Sequence, residues 1–187
     1  MFNAVYDACV LYSATLRDIL LFLAEYDCIT PFWSDAIHDE WVRSLLRKRP
    51  DLSLERLERT RRIMDEKFPR SLVRNYEHII PTLHLPDIND RHVLAVAIYS
   101  DARFIVTKNL KDFPKTVLAQ YHIEAITPDD LVIRLIDYDI KRFIEAIAEH
   151  RKSLHCPPKT VPEYLQSLEK QDLHQTAVFL REHQMEI

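Results

Sequence analysis

The chain of 187 residues contains no glycine. Gly-rich phosphate loops need backbone positions without a Cβ. The Walker A loop, the Rossmann GxGxxG and the GxSxG nucleophile elbow are therefore excluded. Nucleotide-dependent and α/β-hydrolase functions fall with them. Tight turns pass to Asn, Asp and Pro, with Asn109 and Pro128 as expected examples. Cysteine is scarce as well. Cys9, Cys28 and Cys156 are odd in number and widely spaced. They form neither a disulfide framework nor a zinc pattern, and a reducing cytoplasm is expected. No apolar run approaches the roughly 20 residues that span a bilayer. The longest, at 20–24 and 93–99, are core-sized. The first residues lack a basic segment and reach an acid at Asp7, so a signal peptide is not expected.

What is present describes a globular protein. The hydrophobic fraction is 47% and the charged fraction 29%, ordinary values for a packed domain. The length suits one domain with a small appendage. Net charge is −4, which argues against a protein that coats nucleic acid. The charge is uneven, however. Residues 43–74 hold eleven Lys and Arg against five Asp and Glu, so any nucleic-acid contact would be local.

Patterning predicts strands alternating with helices. Residues 2–6 form an apolar run followed by an acid, a buried parallel strand and then a loop. Helical spacing covers 10–26. A second strand or extended connection fits 29–33. Ser34 is placed to cap a helix to about Arg49, and Pro50 ends it. A further helix covers 52–68, and 78–80 reads as extended. Asp87 starts a helix, 104–107 is a strand, 114–121 a short helix and 123–126 a strand. Thr127-Pro128-Asp129-Asp130 is a helix start, with a cap, Pro at the first position and acids in the first turn. The expectation is a three-layer α/β/α domain over 1–137 around a parallel sheet. A helical extension follows over 138–187, with a linker at 155–158, a capping box at Thr160 and Glu163, and a last helix capped by Asp172.

Acids at particular places carry the chemistry. Asp7 follows the first strand, Glu40 lies in the helix begun by Ser34, and Asp90 stands in the first turn after Asp87. Asn109 follows the strand at 104–107, with Asp112 three residues on. Ligands of open α/β sheets bind beyond the carboxyl ends of the strands, where Asp7 and Asn109 fall. Converging carboxylates raise each other's pKa unless a cation neutralises them. Hard cations such as Mg2+ prefer such oxygen sites, and phosphodiester hydrolysis is the chemistry that uses them.

Ordinary structure accounts for part of this pattern. Asp87 and Asp90 have the spacing of a capping pair. Glu40 alone reads as a surface acid. Asp7 resists such a reading, because an acid directly after a buried strand is dehydrated unless it is used. Arg56, Arg59, Arg61 and Arg62 alternate with acids on a solvated helix face, with RNA or partner contact as the alternative.

Four blocks occur in order: Asp7-Ala-Cys-Val-Leu-Tyr-Ser-Ala, Trp33-Ser34 through Glu40-Trp41, Asp87-Ile-Asn-Asp90-Arg-His-Val-Leu-Ala, and Ile105-Val-Thr-Lys-Asn-Leu-Lys-Asp-Phe113. Over residues 1 to about 130 they resemble the PIN-domain family, and within it the bacterial VapC-type toxins. The tail resembles the helical extension of some relatives. The resemblance implies an endoribonuclease dependent on Mg2+ or Mn2+, an RNA substrate, a cognate antitoxin and a homodimer. It places metal-holding acids at Asp7, Glu40 and Asp90. The family's fourth acid falls on the neutral Asn109, with Asp112 nearby, and Cys9 stands where relatives often have Asn. Arg91 and His92, beside Asp90, are placed for substrate phosphate. A binding module with impaired catalysis is the alternative that Asn109 motivates. A phosphatase of the haloacid-dehalogenase kind also begins strand–Asp, but it needs Asp where Cys9 stands.

Overall fold

The apolar run at the start of the chain forms β1 (Phe2–Tyr6) at the centre of a four-stranded sheet. The coordinates are a computed structural model that describes residues 2–155 and 157–187. Cys156, in the predicted linker, and Met1 lie outside the described residues. The other strands are β2 (Ile29–Phe32), β3 (Phe104–Val106) and β4 (Glu124–Ile126), in the order β2-β1-β3-β4. β1 and β3 run parallel with Tyr6 opposite Val106, and β3 and β4 run parallel with Val106 opposite Ile126. Ala4, Val5, Tyr6, Phe104, Ile105 and Val106 are buried, as strands covered on both faces must be. The architecture is the expected three-layer α/β/α class with a parallel sheet and a helical C-terminal region. Among the described residues no helix is long and apolar enough to cross a membrane.

By packing, the chain forms two compact units. One comprises residues 2–12 and 30–126, and holds the sheet. Its helices are α1 (Ala8–Leu11), α3 (Asp35–Lys48), α4 (Leu54–Lys67), α5 (Arg91–Tyr99) and α6 (Lys115–Leu118). The other comprises 13–29 and 127–187. It is a helical assembly of α2 (Ala14–Glu25), α7 (Pro128–Tyr138), α8 (Ile140–Ser153), α9 (Val161–Glu169) and α10 (His174–Glu182). The tail helices share a core with α2, through Leu16, Leu20 and Leu23 and through Phe143, Ile147, Tyr164 and Leu180. About 50 residues alone would bury too little apolar surface to be secure. Buried His150 ties α2, α8 and α9 together, meeting Asp18 Oδ2 at 3.1 Å and Tyr164 Oη at 2.8 Å.

Without glycine, helix ends use other residues in the left-handed region. Asp27, Asp101, His122 and Asp172 have φ of 54, 52, 58 and 64°. Each closes a Schellman turn. After Asp101, for example, Ala102 N–H donates to Ala97 O at 2.9 Å and Asp101 N–H to Ile98 O at 3.3 Å. Asp tolerates this conformation because its short polar side chain bonds locally. Asn109 does not take part, since its φ is −106°.

Four other expectations need correction. The helix expected over 10–26 is broken at Tyr12-Ser13, where the Ser13 hydroxyl accepts Leu16 N–H and starts α2 afresh. The segment at 78–80 is not extended but lies in a 3-10 helix, Glu77–Thr82. Asp87 opens a short 3-10 turn, Ile88–Asp90, before α5 begins at Arg91. Asp172 does not cap the last helix. The N-terminus of α10 is held from a distance by Asp129 of α7, which accepts Gln175 N–H at 2.8 Å and Thr176 N–H at 3.0 Å.

Candidate active site

The sheet order reverses direction around β1 and β3, and the crevice beyond their carboxyl ends is where such folds bind ligands. Asp7 leaves β1 there. Its N–H still donates to Val106 O at 3.1 Å, so the ladder fixes its backbone. Asp7 is only 6% exposed. Carboxylate Oδ2 accepts the Thr107 hydroxyl at 2.6 Å and the Cys9 thiol at 3.1 Å. Thr107 Oγ1 also accepts Asn109 N–H at 2.9 Å. An ionised carboxylate can only accept, so the hydroxyl hydrogen goes to Asp7, and Thr107 couples the ends of β1 and β3. Burial raises the Asp7 pKa above the ordinary carboxylate value, opposed by the Thr107 and Cys9 bonds and reinforced by Glu40.

Asp90 ends the short 3-10 turn and caps α5 by position, without a side-chain cap bond. Its pKa is pushed up to about 6, first by burial and then by Asp7, Asp87, Asp112 and Glu40. The structure thus brings three of the expected residues, Asp7, Glu40 and Asp112, within reach of the charge of a fourth, Asp90. Asp87 also belongs to this field, while its Oδ1 accepts Asn89 N–H at 2.8 Å. Asn109 is exposed and starts the 3-10 turn Leu110–Asp112.

Glu40 projects from α3 with 47% of its side chain exposed, and its Oε2 stands 3.5 Å from His92 Nε2. His92 therefore faces an acid as well as the region expected to hold phosphate. Its Nδ1 and the Nε of Arg91 are buried without a hydrogen-bond partner. Two polar atoms beside Asp90 are thus left without a partner, although buried polar atoms are normally paired.

Thr107 was not singled out from the sequence. The signal for it was a hydroxyl at the carboxyl end of a buried strand, in the same row as Asp7. Cys9 is more than a departure from the family pattern. Its thiol donates to Asp7 and accepts Lys108 N–H at 3.2 Å. Burial first, and then Asp7, push its pKa up to about 12. It is a protonated donor at neutral pH and not a nucleophile.

The acids supply oxygen donors whose repulsion a divalent cation would relieve. Among the described residues no group of three or more His, Cys, Asp or Glu side chains is arranged so that it could hold a metal ion. Mg2+ needs no such cage, because it keeps several waters and is commonly held by one or two carboxylates. The donor set around Asp7 and Asp90 fits that mode.

Residues 3–111, more than half of the chain, match the PIN domain family, and residues 128–182 match the VapC50 C-terminal domain. A Mycobacterium tuberculosis protein named "Putative ribonuclease VapC50" is 50% identical over 48 residues. That stretch is 26% of this chain and 28% of the relative, so the chain spans little more than a quarter of that protein in the match. No solved structure matches.

Proposed function

Since this chain belongs to the PIN-domain family, we propose that it is a metal-dependent endoribonuclease of the VapC type, the toxin of a toxin–antitoxin pair. The observation that carries the reading is Asp7, buried at the carboxyl end of β1 and held by Thr107 and Cys9, with Glu40 and Asp90 close enough to act on its charge. Asp7, Glu40 and Asp90 would hold Mg2+ or Mn2+, one or two of them directly and the rest through waters of the ion, with Asn109 and Asp112 assisting from the turn after β3. When bound, the ion shields phosphate charge and lowers the pKa of a coordinated water.

The chain's own residues do the rest. Asp7 is held by Thr107 and Cys9 and needs no reorganisation on binding. Asp90, half-buried at the start of α5, takes the proton of the attacking water. The water oxygen bonds to phosphorus, the bond from phosphorus to one ribose oxygen breaks, and that oxygen leaves with a proton taken from solvent. Arg91 and His92, beside Asp90, contact the substrate phosphate. The functional division is a nuclease domain over 1–137 and a helical extension over 138–187, a division by role and not by packing. The reading includes a cytoplasmic location, a homodimer and a protein antitoxin.

The test is cleavage of labelled single-stranded RNA by the purified chain with Mg2+ or Mn2+. Cleavage is expected to vanish in EDTA and in Asp7→Ala. Activity that survives both refutes the assignment. A second reading, a PIN-domain module that binds RNA or protein without turnover, is favoured by the neutral, exposed Asn109. It predicts binding without cleavage, and no gain of metal affinity in Asn109→Asp.

A further inference from the structure

We infer that Asp65, on α4, is a positioning residue for Glu40; the inference rests on the reading of Glu40 as a metal-holding carboxylate. Glu40 lies on an exposed face of α3, and the ladder that fixes Asp7 does not reach it. Its place depends on the rotation of α3 about its own axis. That rotation is set inside the protein by a chain of polar contacts among rings. Trp41 Nε1–H donates to His38 Nδ1 at 2.9 Å. His38 Nδ1 is therefore an acceptor, and in the neutral ring Nε2 carries the hydrogen. Burial lowers the His38 pKa, in keeping with the neutral ring. Nε2 lies 3.1 Å from Asp65 Oδ1, and the same oxygen accepts Trp33 Nε1–H at 2.8 Å.

Trp33, His38 and Trp41 are fully buried, at 0% exposure each. One carboxylate on α4 thus holds the residue two places before Glu40 and, through it, the residue directly after. Trp33 is itself fixed, since its N–H donates to Ser71 O at 2.9 Å and its carbonyl accepts Val73 N–H at 2.8 Å. On the outer face Arg61 of α4 meets Asp39 Oδ1 at 2.8 Å and also Asp35. α3 is gripped from α4 on two sides. Successive residues lie about 100° apart around a helix. A rotation of roughly 10° therefore carries a carboxylate about 8 Å from the axis by more than 1 Å, enough to spoil a ligand. None of the other acids of the cluster is on α3 or α4.

Mn2+ binding to the full chain, read by electron paramagnetic resonance without RNA, tests this in a double-mutant cycle. Glu40→Gln is expected to weaken Mn2+ binding by about tenfold. Asp65→Ala, which leaves the His38 and Trp33 donors unpaired, is expected to weaken it by roughly threefold or more. In the Glu40→Gln background the same change should alter affinity by less than about twofold, because coupled residues are not additive. Asp65→Asn keeps the acceptor oxygen and should restore most of the affinity. If Asp65→Ala does not fold, Trp33→Phe, which removes one donor and keeps an aromatic ring, is read in the same cycle. Full additivity, or lowered thermal stability with unchanged Mn2+ affinity, overturns the positioning role and leaves the reading of Glu40 intact. No effect of Glu40→Gln on Mn2+ binding overturns that reading and the inference with it.

Discussion

Replacing Asp90 by Asn should stabilise the metal-free protein at neutral pH and weaken the metal-bound one. The carboxyl's pKa is raised from the ordinary 3.8 to about 6 by burial and by the neighbouring acids. A raised carboxyl is favoured neutral in the fold. Its ionisation costs the folded state nothing below pH 3.8 and progressively more as pH rises through 6. At about 1.36 kcal/mol per pH unit, the difference corresponds to about 3 kcal/mol for a fully buried charge. Asp90 is half-buried, so solvent screening reduces the figure to about 1 kcal/mol. A carboxamide does not titrate, and Asp90 makes no side-chain cap bond that Asn would lose. The favourable position at the start of α5 is already outweighed, since the net shift is upward. For a chain of this size 1 kcal/mol is about 2–4 °C in Tm. Thermal unfolding in EDTA across pH 4–8 should show no difference near pH 4. Asp90→Asn should then gain a few degrees, reaching a plateau above pH 7. Saturating Mg2+ should reverse the order, because an ion bound at about 100 times its Kd adds about 2.7 kcal/mol to the wild type. A variant no more stable than wild type at pH 8 in EDTA would refute the electrostatic argument. A gain that persists in Mg2+ would refute the metal assignment.

Thr107→Val removes the donor that favours ionised Asp7, so the acid limb of the pH–rate profile should move to higher pH and kcat should fall by about tenfold; an unmoved profile rejects the role of the bridge. Asp129→Ala leaves Gln175 N–H and the N–H and hydroxyl of Thr176 without their partner. It should cost roughly 2–3 kcal/mol by urea unfolding, and hydrogen exchange should rise first at the start of α10. Asp101→Gly, at a left-handed helix end, should raise stability by about 0.5–1 kcal/mol, and a loss would show that the Asp side chain makes up for its backbone strain.

Much of the fold was legible because the relevant rules are local. Continuous apolar runs announced β1 and β3, and Ser34, Thr127 and the Thr160–Glu163 pair announced helix starts that the structure contains. Local signals failed where a distant group competed. Asp172 has the composition of a helix cap, but Asp129 supplies that cap from α7, and Asp172 instead turns the chain at positive φ. Ile79 and Ile80 are apolar and β-branched, yet a 3-10 helix takes them together with His78. The run at 10–26 has helical spacing throughout, and only the Ser13 cap and the division into two packing units show why it breaks.

The absence of glycine, read from the sequence alone, removed the phosphate-loop enzymes and passed the tight turns to other residues, which in the structure are Asp27, Asp101, His122 and Asp172 at helix ends. The order of Asp7, Glu40, Asp90 and Asn109 in their blocks was likewise plain in the sequence, because motif spacing is a one-dimensional property. Only the tertiary structure decided what surrounds each acid. Desolvation and Coulomb coupling depend on distances through space. They distinguish Asp7, buried and held by Thr107 and Cys9, from Glu40, exposed beside His92, and from Asp90, whose pKa near 6 arises from burial first and then from four other acids.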